Sequence, residues 1–187
     1  MTAPPCPVRR RLLHGLPQAL ALASAAALPT AVRAAPDEDR RLKLHHTHTG
    51  EVLEITYAEA GRWLDPALRR IDLFLRDHYS GAVGRIDPAV LDQIHAVQRQ
   101  LGHRGAVMIV SGYRSPDTNE FLRSHRGGGV ARHSLHMDGR AIDLRLQGVA
   151  LAELHQAALS LEAGGVGLYS ADDFVHLDTG RRRRWGA

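Results

Sequence analysis

Ser134-Leu135-His136-Met137-Asp138-Gly139-Arg140-Ala141-Ile142-Asp143 holds the densest chemistry in the chain. It offers an imidazole at His136 and a carboxylate at Asp143, with Gly139 between them. On a single helix the two would stand roughly 10 Å apart along the axis, too far to share an ion. A turn at Gly139 that runs into a strand brings them together. The following residues read as that strand. Ile142, Leu144 and Leu146 alternate with Ala141, Asp143 and Arg145, so an apolar face packs inward while Asp143 points away from it.

A third ligand is found in Asp172-Asp-Phe-Val-His-Leu-Asp178, where the alternation is again strand-like. Val175 and Leu177 share one face, and His176 and Asp178 share the other. His136, Asp143 and His176 make a two-His, one-carboxylate set with an open fourth position, the pattern of a catalytic rather than a structural zinc. Asp178 suits the task of orienting a ligand ring and is the alternative ligand to Asp143. Ser134 and Tyr113 are candidates for supporting hydrogen bonds.

Ser-x-His-x-x-Gly-x-Ala-x-Asp over 134–143, acid-x-x-His over 173–176 and Ser-Gly-Tyr-Arg-Ser over 111–115 together resemble the zinc D,D-peptidase superfamily of bacterial cell walls. The likeness extends to 44–51, 164–169 and 174–180 and is nearest to the murein endopeptidases exported by the twin-arginine route. The resemblance implies an α+β fold of the Hedgehog-like kind, in which a small antiparallel sheet bears one Zn2+ and helices flank it. It implies hydrolysis of peptide cross-links or stem peptides of peptidoglycan. A D,D- or L,D-carboxypeptidase that trims stem peptides, and a wall-binding zinc module without catalysis, are the alternatives. It places the general base three residues before the last ligand, at Asp173, with Asp172 the nearest competitor. It also lands on Arg114, at the end of an apolar strand, as a contact to the substrate or the transition state. Arg114 suits that role because its charge is permanent and forked.

The remainder of the chain supplies the setting. Val8-Arg-Arg-Arg-Leu-Leu13 followed by an Ala/Leu-rich run to about Val32 resembles a twin-arginine signal, with cleavage expected after Ala34. Residues 1–34 are therefore read as the signal and 35–187 as the peptidase domain, acting in the periplasm or otherwise outside the cytoplasm. The membrane is then met only in transit. The signal carries Arg9, Arg10, Arg11, Arg33 and no acid, so removing it takes Lys+Arg from 24 to 20 against 20 Asp+Glu. A formally neutral domain gives no case for nucleic-acid binding, whatever the precursor's charge. The single cysteine, Cys6, leaves with the signal, so the domain rests on its core and not on disulfides.

Leu42–His48 and Glu51–Tyr57 read as a hairpin around Thr49-Gly50, with His45, His46 and His48 as exposed hairpin histidines and His48 a possible groove edge. Helices are expected from Pro66 to about Tyr79, from Pro88 behind an Asp87 cap, from Pro116 to about Ser124, and from Val149 to Leu161. Ala106–Ser111 and Gly164–Tyr169 are strand candidates. Gly127-Gly128-Gly129 is expected to form a segment that covers the site, and Arg181–Arg184 a solvated end or a contact to anionic wall polymer.

Overall fold

The structure, a computed structural model, describes residues 1–2, 39–125 and 130–186. The signal reading, the cleavage point and the Gly127–Gly129 segment lie outside the described residues.

β1 (Arg40–His46) and β2 (Val52–Glu59) form the expected antiparallel hairpin, and the two-residue β3 (Arg62–Trp63) adds to β2. Alternation drives it: Leu42 and Leu44 are buried while Arg41 and Lys43 are exposed. Two helices follow. α1 (Asp65–Phe74) has Pro66 in its first turn, where a missing N–H costs nothing. α2 (Pro88–Gln100) is capped by Asp87, whose side chain accepts from the Ala89 N–H at 3.0 Å. Val90, Leu91, Ile94 and Val97 recur at helical spacing and are essentially inaccessible.

α1 stops five residues short of the expected Tyr79. The Asp77 carboxylate accepts from the Tyr79 and Ser80 N–H groups at 2.9 and 3.4 Å, and this side-chain turn replaces a further helical turn.

The crossover through α1 and α2 returns the chain as β4 (Val107–Ser111), parallel to β1, because joining parallel neighbours needs such a connection. α3 (Pro116–His125) leads to a short 3-10 turn at Leu135–Asp138 and then β5 (Ala141–Leu146). α4 (Leu151–Ser160), β6 (Gly165–Tyr169), β7 (Phe174–Asp178) and β8 (Arg183–Trp185) complete the chain. The sheet has eight strands in the order β3-β2-β1-β4-β5-β7-β6-β8.

The α+β expectation holds, but the sheet is mixed and larger than the small antiparallel one expected. β1 with β4 and β6 with β8 run parallel. Leu42, Leu44, Ile109, Ile142, Leu144, Val175 and Leu177 join residues of α1, α2 and α4 in one core. Each such fully buried side chain contributes about 1.5–3 kcal/mol. Among the described residues no helix is long and apolar enough to cross a membrane.

Candidate metal centre and its cleft

The register of β5 against β7 builds the centre. Asp143 stands directly opposite His176, while Ile142 faces Leu177 and Leu144 faces Val175. Period-two alternation then sends the apolar pairs to the core and leaves Asp143 and His176 side by side on the other face. His136 arrives from the 3-10 turn. Ser134 caps that turn, accepting from the His136 N–H at 3.4 Å, and Gly139 ends it with φ +65°, a left-handed conformation that glycine adopts without cost. His133, just before that cap, pairs with Asp138, 3.0 Å away.

The three side chains are buried, and each offers one ligand atom within 4.8 Å of the others. Among the described residues this is the one such group of His, Cys, Asp and Glu. Asp143 Oδ1 lies 2.8 Å from His176 Nδ1 and 3.2 Å from His136 Nε2. The two imidazole nitrogens are 3.2 Å apart. Ligand atoms at about 2.0–2.1 Å from a tetrahedral zinc are separated by roughly 3.3 Å, close to these spacings.

The outer nitrogens fix the tautomers. His136 Nδ1 is 2.7 Å from the Gly112 carbonyl, which only accepts, so that nitrogen carries the hydrogen. His176 Nε2 is 3.1 Å from Asp178 Oδ2, again an acceptor. Both inner nitrogens therefore point lone pairs at each other and at a carboxylate oxygen. Three converging acceptors require a cation or a proton between them. Burial disfavours a proton on His176, but hydrogen bonds that its ring donates to Asp143 and Asp178 outweigh burial and push its pKa up to about 9. Burial lowers the pKa of His136. Asp143 is held well below the usual carboxylate range, because the two histidines outweigh its own burial.

Asp178 is the hub behind the centre. It is fully buried and also accepts from Arg183 at 2.6 and 3.1 Å, from the Gly165 N–H at 3.1 Å and from the Gly180 N–H at 2.8 Å. The hydrogen bonds to His176 and Arg183 overcome burial and keep its pKa low. Sequence reasoning anticipated Asp178 but missed Arg183, which it left in a solvated C-terminal run. Trp185 was also missed. Its ring sits 5.1 Å from that of His176, and its indole N–H donates to the Tyr169 hydroxyl at 3.0 Å. Gly167 makes this possible, since a Cβ there would lie 2.4 Å from the Trp185 ring. The run of arginines gave the only hint, through the opposite charge that a buried Asp178 needs.

A cavity of about 510 Å3 opens over the centre, lined by all three candidate ligands together with Arg114, His48, Tyr79, Asp172 and Trp185. Arg114 Nη2 lies 3.9 Å from Asp143 Oδ2, and the Arg114 N–H donates to the His136 carbonyl at 3.1 Å. The cleft thus brings together His136, Asp143, His176 and Arg114. It does not bring in Asp173. That residue sits at φ +55°, the bend the strand geometry requires, and its exposed carboxylate takes a 2.9 Å ion pair with Arg145. Asp172, one residue earlier, lines the cavity instead. His48 also lines it, stacked on His78 at 4.2 Å, whereas His46 is buried and not an exposed hairpin residue.

An α+β sheet presenting His, Asp and His beneath a cleft, with an arginine alongside, defines a peptidase of the M15 type. More particularly, the chain belongs to the peptidoglycan L,D-endopeptidase MepK family, whose profile matches residues 34–185. It is 41% identical over 163 residues to peptidoglycan L,D-endopeptidase MepK of Escherichia coli strain K12, covering 86% of this chain and 89% of the relative. The Shigella flexneri protein of the same name matches equally, at 41%. A probable peptidoglycan L,D-endopeptidase MepK of Haemophilus influenzae is 36% identical over 161 residues, covering 84% of this chain and 86% of the relative.

Proposed function

We propose that this murein endopeptidase is zinc-dependent, that His136 Nε2, Asp143 Oδ1 and His176 Nδ1 hold the ion, and that its substrates are L,D-linked peptide cross-links of peptidoglycan. The observation that carries the metal is the convergence of His136 Nε2, Asp143 Oδ1 and His176 Nδ1 within 3.2 Å of one another, with outer partners that hold both imidazoles in the ligating tautomer. Zinc bound there supplies a Lewis acid for the scissile carbonyl and a nucleophilic water at neutral pH.

The protein's own groups do the rest. Gly112 and Asp178 hold the two imidazoles in the ligating tautomer. The Arg114 guanidinium, mostly buried and aimed at the centre, is suited to stabilise negative charge growing on the carbonyl oxygen or to grip a substrate carboxylate. A carboxylate facing the cleft takes the proton from the attacking water and returns it to the leaving amine. The lining geometry favours Asp172 over Asp173 for this task. The family's substrate supports action outside the cytoplasm, with export by the twin-arginine signal read in residues 1–34.

Cross-linked peptidoglycan digested with the protein, with fragments read by mass spectrometry, tests this reading. Dimeric fragments should be lost, and a chelator or His136→Ala should abolish the loss. Release of a terminal residue alone would make the protein a carboxypeptidase. Cleavage that persists in both controls would remove the metal from the account.

A further inference from the structure

We propose that Asp77, a residue remote from the metal ligands in sequence, is a positioning residue that sets Arg114 against the centre. The proposal rests on the reading of Arg114 given above. Asp77 is 1% exposed and sits in the turn that ends α1. Its Oδ2 accepts from the Ser115 N–H at 2.9 Å and from the Ser115 hydroxyl at 2.7 Å. Its Oδ1 accepts from the N–H groups of Tyr79 and Ser80. One carboxylate therefore ties the turn carrying Tyr79, a cleft-wall residue, to the residue that follows Arg114.

The tie is part of a clamp. On the α1 side, the Tyr113 N–H donates to the Leu75 carbonyl at 2.8 Å and Ser115 is held by Asp77. On the opposite side, the Gly112 carbonyl accepts from His136 Nδ1 and the Arg114 N–H donates to the His136 carbonyl. The segment 112–115 is thus fixed between Asp77 and a metal ligand, with Arg114 in the middle. The Ser115 hydroxyl also accepts from the Thr118 N–H at 3.2 Å, so the same contact anchors the start of α3.

Burial opposes the charge on Asp77, but hydrogen bonds from Thr118, Ser115 and Tyr79 outweigh it and keep the group ionised. Ionisation matters because both oxygens must accept. An asparagine would set an amide hydrogen against the N–H donors on one side.

A double-mutant cycle on cross-link cleavage tests the proposal, using Asp77→Asn and Arg114→Ala in the full chain. Misplacing a group by about 1 Å costs on the order of 100-fold. Asp77→Asn should therefore lower kcat by about 10–100-fold with little change in KM. In the Arg114→Ala background the same change should alter kcat less than about 3-fold, since the group it positions is gone. An equal loss in both backgrounds would make Asp77 merely structural and overturn the proposal, as would kcat within 2-fold of wild type for Asp77→Asn alone. Should Asp77→Asn fail to fold, Ser115→Ala removes one of the two bonds and must show a smaller loss with the same coupling. Amide hydrogen exchange supplies a readout independent of catalysis. Asp77→Asn should speed exchange at Tyr79 and Ser115 and leave β5 protected, whereas unchanged protection at both would overturn the clamp. Wild-type cleavage by Arg114→Ala would instead sink the reading of Arg114, leaving exchange to decide whether Asp77 holds the segment.

Discussion

Replacing Asp178 by asparagine should cripple metal binding by reversing a tautomer while leaving the fold nearly intact. Oδ1 of Asp178 receives Gly165 N–H, Gly180 N–H and Arg183 Nη1, and Oδ2 receives His176 Nε2 and Arg183 Nη2. An asparagine oxygen at the Oδ1 position keeps three of these donors. Its NH2 group then faces His176 Nε2, which must become the acceptor, so the hydrogen moves to Nδ1, the metal-facing atom. Loss of such an outer partner costs about 10–100-fold in metal affinity, or about 1.4–2.7 kcal/mol. Arg183 loses one contact, but its side chain is 35% exposed and turns to water, so the fold should lose only about 1 kcal/mol. Asp178→Ala differs. It strands two backbone N–H groups and the guanidinium and should cost about 2–4 kcal/mol. Competition with a chromophoric chelator gives the zinc affinity, urea unfolding gives the stability, and nitrogen NMR reports the His176 tautomer. A folded Asp178→Asn protein with wild-type zinc affinity would refute the reasoning.

Four further outcomes follow from the same geometry. Arg114→Ala should lower kcat by about 100–1000-fold in muropeptide cleavage, the range for losing one oxyanion donor, and Arg114→Lys should recover only part of it. Asp172→Asn should lower activity far more than Asp173→Asn, because Asp172 lines the cleft and Asp173 is paired with Arg145; the opposite order in the same assay would restore Asp173 as base. Gly167→Ala should push the Trp185 ring out of place, seen as a red-shifted Trp185 emission against a background in which Trp63 is replaced by phenylalanine. Stability should fall with acid in two stages. Burial lowers the pKa of His46 from 6.5 to about 4, so the unfolded chain binds the extra proton between those values. The contribution of His46 is therefore complete above about pH 6.5 and drops by up to about 3 kcal/mol as pH falls toward 4. Asp77 and Asp178 have depressed pKa values, so their contribution is full above the ordinary carboxylate value of about 3.9 and is lost as pH falls below it. Urea midpoints across pH 3–8 check both stages, and His46→Phe should erase the upper one.

Much of this site is legible in the sequence because strand alternation is a local signal. Ile142, Leu144 and Leu146 against Asp143, and Val175 and Leu177 against His176, fix which side chains share a face, and Gly139 announces the turn that delivers His136. The cap at Asp87 is equally local. What escaped depends on contacts and backbone angles that no periodicity encodes. β8 is three residues without alternation, so nothing local marks Arg183 as the partner of Asp178 or Trp185 as a cleft wall. The end of α1 is set by Asp77 bonding Tyr79 and Ser80, a choice that helix periodicity cannot register. His46 looked exposed because a hairpin's free face is usually solvated, whereas here it packs against Phe74 with ring centroids 6.0 Å apart. Asp173 sits at a positive φ and pairs with Arg145 while Asp172 lines the cleft, and strand alternation marks neither.

The most direct test strips the protein of metal with a chelator, removes the chelator, and follows cross-link cleavage as zinc is added back. One equivalent per chain should restore full activity to the wild type and none to His136→Ala, with the added ion located between His136 Nε2, Asp143 Oδ1 and His176 Nδ1 by anomalous scattering at the zinc edge. Full cleavage by the stripped protein, or restoration of His136→Ala by the same single equivalent, would contradict the account.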